Sequence, residues 1–346
     1  MVVLPSEDGV NEAQSKPDSN WPKDQFGRRE VSQFLNPLGL SVIAGVAILT
    51  GMLLPAISYS KPHPEVVAYV AQDQIYAEPI FRDFEKETGI KVLPVFDSEA
   101  VKTVGMANRL LAEKSHPQCD VFWGNEEMRT RQLAAQNVFR QTNGWATFGY
   151  RSRRMVINTN LLSVEKAPHS LLELTNKVWT GKVAFAYPQF GTTAAHFHAL
   201  RQLWGDAGWE SWCRALAANK PLVVDGNSVV VKMVGKGEAV VGMTDSDDIA
   251  DSQREGLPVA EMGVTEETLL IPNSVGLVRN SPHIAESEKL FEYLQKPKIA
   301  AQLVEAHALE GVSEATAPRS ALKPDWAALL RDLEPTTKRL SQIFLR

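Results

Sequence analysis

The 346-residue chain has little cysteine and no excess of basic charge. Its two cysteines, Cys119 and Cys213, are too few for a disulfide-stapled scaffold. A single bridge is one alternative, but both residues adjoin apolar runs, so two buried free thiols are favoured. A formal net charge of −5 argues against the concentrated basic surface that a nucleic-acid partner requires. The sequence therefore predicts no nucleic-acid binding.

Familiar catalytic motifs are also absent. The chain has no G-x-S-x-G, H-E-x-x-H, G-x-x-x-x-G-K-[ST] or G-x-G-x-x-G pattern. His196 and His198 are separated by two positions, which directs them to different faces of a helix. We interpret them as structural residues. These absences favour a binding protein, without a catalytic residue, over an enzyme.

Charge is missing from one long stretch, residues 31–60. Within it, residues 38–57 are apolar and long enough as a helix to cross a bilayer of roughly 30 Å. Arg28 and Arg29 precede the run, so the positive-inside tendency places the N-terminus in the cytoplasm. Ser58 and Ser60 leave a cleaved signal open as an alternative. An uncleaved anchor is favoured because the apolar run is long and a tail precedes it.

This run divides the chain into regions with different predicted roles. Residues 1–34 are predicted to be a disordered cytoplasmic tail and 35–60 a transmembrane anchor or signal helix. The remainder would lie on the periplasmic or extracytoplasmic face, tethered to the inner membrane or released by cleavage near Ser60. About 285 residues follow, enough for one large or two medium lobes.

Apolar periodicity alternates between strand and helix after the anchor. The first unit is predicted to follow a β-α-β-α-β order over residues 66–71, 75–88, 91–96, 101–114 and 120–123. The second repeats this pattern over residues 182–186, 192–204, 222–224, 228–234, 239–243 and 247–254. Such an order indicates doubly wound α/β lobes with ligand chemistry at the carboxyl ends of their strands. Extended segments at 155–159 and 269–278 would join the lobes, predicted as 65–155 plus 265–346 and 156–264.

Six segments, in this order, resemble the periplasmic solute-binding proteins of ABC importers, particularly the branch of ferric-ion-binding proteins. The segments are AYVAQDQIYAEPIFRDFEKETGIKV (68–92), DVFWGNE (120–126), YRSRRMVINT (150–159), FAYPQFGTT (185–193), GNSVVVKMVGKGEAVVGMTDSDD (226–248) and LLIPNSVGLV (269–278). The resemblance implies a type II binding-protein fold whose two lobes close on a small solute. It also implies a monomeric receptor whose partners are an ABC permease and its ATPase.

The turn PQFGTT forms a candidate anion site. Gly191, Thr192 and Thr193 open a helix, where free backbone N–H groups and hydroxyls attract an anion. An ordinary turn with a threonine cap is the alternative. In ferric-binding relatives the matching turn holds phosphate or carbonate beside the metal, and the matching Asn contacts that anion. The resemblance assigns this role to Asn227 and places Arg153 near the anion, although a structural salt bridge of Arg151 or Arg153 is equally compatible.

Carboxylates form the second candidate group. Relatives carry a metal-binding Glu in the turn matched by Asn125 and Glu126, and often a His near Asp73. They also place two adjacent tyrosines where this chain has Asp247 and Asp248, counted from the anion-binding Asn. Carboxylates remain hard oxygen donors, so we expect Asp73, Asp247 and Asp248 to bind a cation. Asp245 belongs to the same acidic segment, which could instead cap a helix.

The predicted ligand is therefore a ferric or other metal ion with phosphate or carbonate, and no other cofactor is expected. The alternatives are an organic cation or zwitterion, such as an aminophosphonate, a polyamine or thiamine, and a sensory or enzymatic module on the same fold.

Overall fold

The computed structural model describes residues 63–96 and 102–345. Nine strands within these ranges form one sheet. Their order is β2-β1-β3-β9-β4-β7-β5-β6, with β8 beside β4. The strands are β1 (Glu65–Val70), β2 (Lys91–Phe96), β3 (Val121–Gly124), β4 (Trp145–Asn158), β5 (Val183–Ala186), β6 (Leu222–Val224), β7 (Val241–Asp245), β8 (Val259–Glu261) and β9 (Leu270–Leu277).

Ten α-helices flank the sheet in these described ranges. They are α1 (Gln74–Thr88), α2 (Lys102–Ala112), α3 (Glu127–Ala135), α4 (Gly191–Ala218), α5 (Asn227–Lys236), α6 (Ser246–Arg254), α7 (Ile284–Leu294), α8 (Pro297–Glu305), α9 (Trp326–Arg331) and α10 (Leu333–Phe344). Short 3₁₀ helices occur at Val164–Lys166, Leu171–Thr175, Lys177–Trp179 and Glu314–Thr316.

Two extended strands connect the two halves of the sheet. β4 pairs with β9 through its first part and with β7 and β8 through its second. β9 pairs with β3 in the first half, and parallel pairing joins β1 with β2 and β3 there. In the second half, β5 is parallel to β6 and β7. The predicted pair of doubly wound α/β lobes with two extended crossings is therefore confirmed.

Each half of the sheet is covered by its own apolar clusters, as expected when helices shield both faces. In the first lobe Trp123 is fully buried, and its ring lies edge-on to Phe81 at 5.6 Å between centroids. In the second lobe Phe185 packs on Phe197 at 5.6 Å. Aromatic pairs at this spacing add to the stabilisation from burial. The two cores fix the sheet edges on which the functional residues stand.

The long helix α4 contains a break where the sequence predicted an end. Gly205 has φ 69° and ψ 164°, which separates the segment after Trp204 from the preceding turns. Because glycine lacks a Cβ, it adopts this conformation at little cost. Trp204 and Trp212 then pack at 5.0 Å between ring centroids, which joins Trp204 to the apolar core cluster that contains Trp212.

Apolar periodicity predicts three helices in the C-terminal third, over residues 284–294, 300–307 and 326–333, and the described part of that third has four α-helices. α7 matches the first of these predictions, whereas α10 has no predicted counterpart. Leu340 and Ile343 of α10 lie in the same core cluster as Phe185 and Phe197 of the second lobe. The domain bounds 65–155 plus 265–346 and 156–264 stay a prediction, and α10 contributes to the core of the second half.

Two predicted regions, the tail at 1–34 and the anchor or signal helix at 35–60, lie outside the described residues. Among the helices that the structure does describe, none is long and apolar enough to cross a membrane. Cys119 and Cys213 are both buried and free, which confirms the prediction of two thiols.

Candidate binding cleft

The candidate site lies where strands of both lobes end. In the first lobe Asp73 follows β1 and Asn125 follows β3. In the second lobe the residues that follow β5, β6 and β7 include Thr192, Asn227 and Asp247. Because β5, β6 and β7 are parallel, their carboxyl ends meet at one edge of the sheet, where doubly wound proteins bind ligands.

These residues line one small cavity of about 70 Å³, which has room for a few water molecules or an ion of similar size. Its lining includes Asp73, Thr103, Asn125 and Arg151 from the first half of the chain and Tyr187, Phe190, Gly191, Thr192, Thr193, Asp225, Asn227, Asp245, Asp247 and Asp248 from the second.

Side chains at the start of α4 and α5 form a hydrogen-bonded group that we call the hydroxyl corner (Thr192, Thr193 and Asn227). Thr193 Oγ1 donates to Asn227 Oδ1 at 3.2 Å, and Asn227 Nδ2 donates to Thr192 Oγ1 at 3.0 Å. Gly191 begins α4 with φ 54°, a left-handed conformation that favours glycine. The corner thus combines side-chain donors with the N-terminus of a helix.

Arg153 lies beneath the hydroxyl corner and is 1% exposed. Its Nη1 donates to Asp245 Oδ1 at 2.6 Å and to Asn227 Oδ1 at 2.8 Å. Nη2 donates to the carbonyl of Met243 at 3.2 Å. Arg153 and Asp245 are also direct partners in the antiparallel pairing of β4 with β7, so the ion pair is positioned by the sheet.

Asp245 is surrounded by donors. Besides Arg153, it accepts hydrogen bonds at Oδ2 from Thr192 Oγ1 at 2.8 Å, Asn227 Nδ2 at 3.2 Å and Arg151 Nη2 at 3.4 Å. Burial alone would raise the pKa of this carboxyl, but the guanidiniums of Arg153 and Arg151 outweigh it and hold the pKa below its usual value. The side chain of Asp245 is therefore ionised at neutral pH.

Asp247 has a different environment. Its Oδ2 lies 3.2 Å from Arg151 Nε, whereas its buried Oδ1 has no hydrogen-bond partner among the described residues. Burial raises the pKa of Asp247 to about 7, and the nearby carboxylates of Asp245 and Asp73 act in the same direction, against the charge of Arg151. The site thus contains a buried carboxylate whose charged form lacks a sufficient counter-charge.

The charges around the cavity are predominantly negative. Asp73, Asp225 and Asp248 line it together with Asp245 and Asp247. These five carboxylates face the two guanidiniums of Arg151 and Arg153, which leaves a formal net charge of −3. Asp245, Asp247 and Asp248 can each place one carboxylate oxygen within 4.8 Å of the others. Chemically, the arrangement suits a small, highly charged cation that takes oxygen ligands.

Nine of the eleven residues predicted from the sequence line this cavity, and two occupy other positions. Arg153 is buried behind the lining. Glu126 caps α3 by accepting a hydrogen bond from the Arg129 backbone N–H at 3.0 Å, and burial raises its pKa to about 7. Asn125, one residue earlier, reaches the cavity and accepts a hydrogen bond from Thr103 Oγ1 at 3.0 Å.

Sequence reasoning missed Tyr187, Asp225 and Thr103. Tyr187 directly follows β5 and Asp225 directly follows β6, so the same rule on carboxyl ends could have identified both. Thr103 stands in the first turn of α2 and carries no comparable signal. Arg151, considered with Arg153 for an anion or a salt bridge, lines the cavity and also donates to the carbonyl of Asn125 at 2.9 Å.

Comparison with models of known protein families identifies the family to which this chain belongs. The model of the family described as bacterial extracellular solute-binding protein matches residues 66–307. The chain belongs to this family of bacterial extracellular solute-binding proteins. The structure, a two-lobed α/β fold with a polar cleft between the lobes, agrees with that assignment.

Individual relatives of this solute-binding protein are named for iron. The chain is 29% identical over 226 residues to the Fe(3+)-binding periplasmic protein of Serratia marcescens, and the match covers 60% of this chain and 64% of that protein. It is 25% identical over 212 residues to the major ferric iron-binding protein of Neisseria meningitidis, and this match covers 56% of this chain and 62% of that protein. The matched segments thus span under two thirds of these relatives.

The fold is shared with iron-bound HitA from Pseudomonas aeruginosa, at a TM-score of 0.69 and 18% identity, over 81% of this solute-binding protein and 98% of HitA. At this identity the similarity shows the fold alone.

Proposed function

We propose that this solute-binding protein is the receptor of an ABC-type importer and captures a metal cation, with ferric ion as the first candidate. The cation would bind between the lobes and be presented to a membrane permease and its ATPase. The names of the Serratia and Neisseria relatives support ferric ion. No covalent chemistry is required, so the protein would act as a binding receptor and not as an enzyme.

The observation that carries this proposal is the incomplete environment of Asp247. A buried carboxylate oxygen without a hydrogen-bond partner is costly, and Asp247 Oδ1 is such an atom among the described residues. It belongs to a cavity with a formal net charge of −3. A bound cation would supply the missing partner and reduce the repulsion among the carboxylates.

The ligand set would combine both lobes. Asp247 and Asp248 lie in the first turn of α6 in the second lobe, and Asp73 directly precedes α1 in the first lobe. A cation held by carboxylates from both sides would draw the lobes together across β4 and the segment that enters β9. Carboxylates are hard donors, suited to Fe³⁺ and to other hard cations. Binding would thereby favour the closed arrangement of the lobes.

Thermal unfolding in the presence of metal ions tests the proposal. At a free ligand concentration of 100 times Kd, binding to the folded state adds about 2.7 kcal/mol to the free energy of unfolding. We expect Fe³⁺ to raise the Tm of the wild type and Asp247→Ala with Asp248→Ala to abolish the shift. Glu238→Ala with Glu255→Ala is the matched control, because it removes two exposed carboxylates of the second lobe and should retain the shift.

An equal shift in the Asp247/Asp248 variant and the wild type would place the cation elsewhere. A shift with thiamine or a polyamine but with no metal ion would contradict the metal assignment and favour an organic cation. Turnover of any such compound would contradict the assignment as a receptor.

The same proposal places the two lobes outside the cytoplasmic membrane, and the Serratia relative is named as a periplasmic protein. Residues 35–60 would hold them near the permease. Fractionation of cells after an alkaline wash separates the alternatives: an anchored chain stays with the membrane, whereas a chain cleaved near Ser60 is recovered in the soluble periplasmic fraction at a smaller mass.

A further inference from the structure

The hydroxyl corner has the chemistry of an anion-binding site. It combines the hydroxyl of Thr192, the amide of Asn227 and the guanidinium of Arg153 with the first turns of α4 and α5. The first N–H groups of a helix lack intrahelical partners, and the N-terminus attracts negative charge. An inorganic oxyanion would find donors of this kind here.

A carboxylate of the protein itself, that of Asp245, already occupies the hydroxyl corner. The Asp245 carboxylate accepts from Arg153 Nη1 at 2.6 Å and from Thr192 Oγ1 at 2.8 Å, with longer contacts to Asn227 Nδ2 at 3.2 Å and Arg151 Nη2 at 3.4 Å. A carboxylate offers about four acceptor positions. Four donors therefore surround the carboxylate, one at Oδ1 and three at Oδ2, as donors would surround a bound oxyanion.

Asp245 is held in this position by the backbone as well as by its side chain. It is the last residue of β7, paired in register with Arg153 of β4, and it also precedes the first turn of α6. The residue is 3% exposed. An external phosphate could enter the corner only by displacing a buried, four-fold hydrogen-bonded carboxylate, or by approaching it against like charge.

We infer that Asp245 serves as a built-in anion, so that the cleft takes up its cation without an accompanying inorganic anion. This inference rests on the proposed function of the cleft and narrows its ligand to a cation alone. The carboxylates would then have different roles. Asp245 pairs with Arg153 and organises the corner, whereas Asp73, Asp247 and Asp248 would face the cation.

The test measures how Fe³⁺ binding depends on anions in the full chain. Fe³⁺ is added as its perchlorate in a non-coordinating buffer, alone or with phosphate or acetate, and the iron retained after gel filtration is measured with the Tm. The wild type should retain the same iron with and without either anion. Asp245→Ala should bind Fe³⁺ at least tenfold more weakly without an anion and recover most of that loss with acetate or phosphate.

Two further variants make the result specific. Asp225→Ala removes a carboxylate that lines the cavity but makes none of the four contacts in the corner, so neither anion should change its iron binding. If Asp245→Ala does not fold, Asp245→Asn preserves the size of the side chain and removes its charge. Its iron binding should also become dependent on an anion, but acetate or phosphate should recover less of the loss because the substituted side chain still fills the corner.

Anion-dependent iron binding by the wild type would overturn the inference and leave the proposed function intact. The inference would also be overturned if Asp245→Ala folds but neither acetate nor phosphate restores its iron binding. Absence of iron binding under every condition would overturn the proposed function and the inference with it.

Discussion

Tyr76 and Asp251 link the two lobes through a hydrogen bond of 2.6 Å from the Tyr76 hydroxyl to Asp251 Oδ1. Tyr76 lies in the first turns of α1, three residues after Asp73, and Asp251 lies on α6, whose first turn contains Asp247 and Asp248. The same helices therefore carry the predicted cation ligands and the contact between the lobes. Arg254 adds a donor to the Tyr76 oxygen at 3.2 Å.

Tyr76→Phe should weaken closure of the lobes. The change removes the bond to Asp251 and the longer contact from Arg254 and retains the ring. A net loss of about 1 kcal/mol is typical of one hydrogen bond. If that energy favours only the closed state, the Kd for Fe³⁺ should rise about fivefold. Competition with a chelator of known affinity measures the change, and small-angle scattering should show a larger fraction of open molecules.

Tyr293→Phe is the matched control for this prediction. Tyr293 is buried, and its hydroxyl donates to Glu87 Oε1 at 3.4 Å within the first lobe. Its loss should alter the free energy of unfolding without changing the Kd for Fe³⁺. An unchanged Kd in Tyr76→Phe would show that the contact between the lobes does not contribute to closure.

Arg153→Met should destabilise the protein by about 3–5 kcal/mol, because it leaves the Asp245 carboxylate buried without its principal partner. Combining it with Asp245→Leu should recover part of this loss, since removing both members of a buried pair costs less than breaking it. Arg214→Met removes an exposed pair with Glu210 on one helix and should change stability by less than about 1 kcal/mol. Urea unfolding measures all three.

Equal destabilisation by the single and the combined variants would argue that Arg153 contributes mainly through packing. The comparison also bears on the cleft, because the hydroxyl corner depends on Arg153 for one of its shortest bonds, to Asn227 at 2.8 Å.

Much of the cleft was predictable because one topological rule converts position in the sequence into position in space. A residue in the loop or first helical turn that follows a strand of a parallel sheet lies near the ligand-binding edge of that sheet. Asp73, Asn125, Thr192 and Asp247 all stand in such positions, and the family resemblance singled them out among their neighbours. The helices and strands themselves follow from apolar periodicity, so most of their bounds agree with the structure to within a few residues.

Contacts between distant segments could not be obtained in this way. The pair of Arg153 with Asp245 depends on the register of two antiparallel strands, and Tyr76 meets Asp251 only because the lobes face one another. Neither relationship leaves a local pattern. Asn125 lines the cavity, whereas the next residue, Glu126, caps α3. This difference depends on the residue at which α3 begins, and apolar periodicity does not locate the start of a helix to a single residue.

The unpredicted helix α10 provides a test of packing. Leu340 is fully buried in the core cluster of the second lobe, and truncating such a residue leaves a cavity. Leu340→Ala should reduce the free energy of unfolding by about 2–5 kcal/mol. Leu203→Ala, at a residue that is 39% exposed, should cost clearly less. Similar losses for both variants in urea unfolding would argue against a structural role for α10.

His198 should make stability depend on pH below neutrality. Burial lowers the pKa of His198 in the folded protein from 6.5 to about 3, and the charges of Arg129 and Arg201 act in the same direction. Between these values the unfolded chain gains a proton at His198 that the folded protein does not. The free energy of unfolding therefore falls as the pH falls, by up to about 1.4 kcal/mol per pH unit for one proton.

Replacing His198 with Gln removes this proton from the unfolded state. The slope of the free energy of unfolding against pH, measured in urea between about pH 6 and 4.5, should become smaller by up to one proton. His116→Gln, at an exposed residue, should leave the slope unchanged. His196 has a pKa lowered to about 3 by burial and keeps its own contribution in both variants. An unchanged slope in His198→Gln would therefore mean that His198 gains its proton in the folded state as readily as in the unfolded one, contrary to its burial against two arginines.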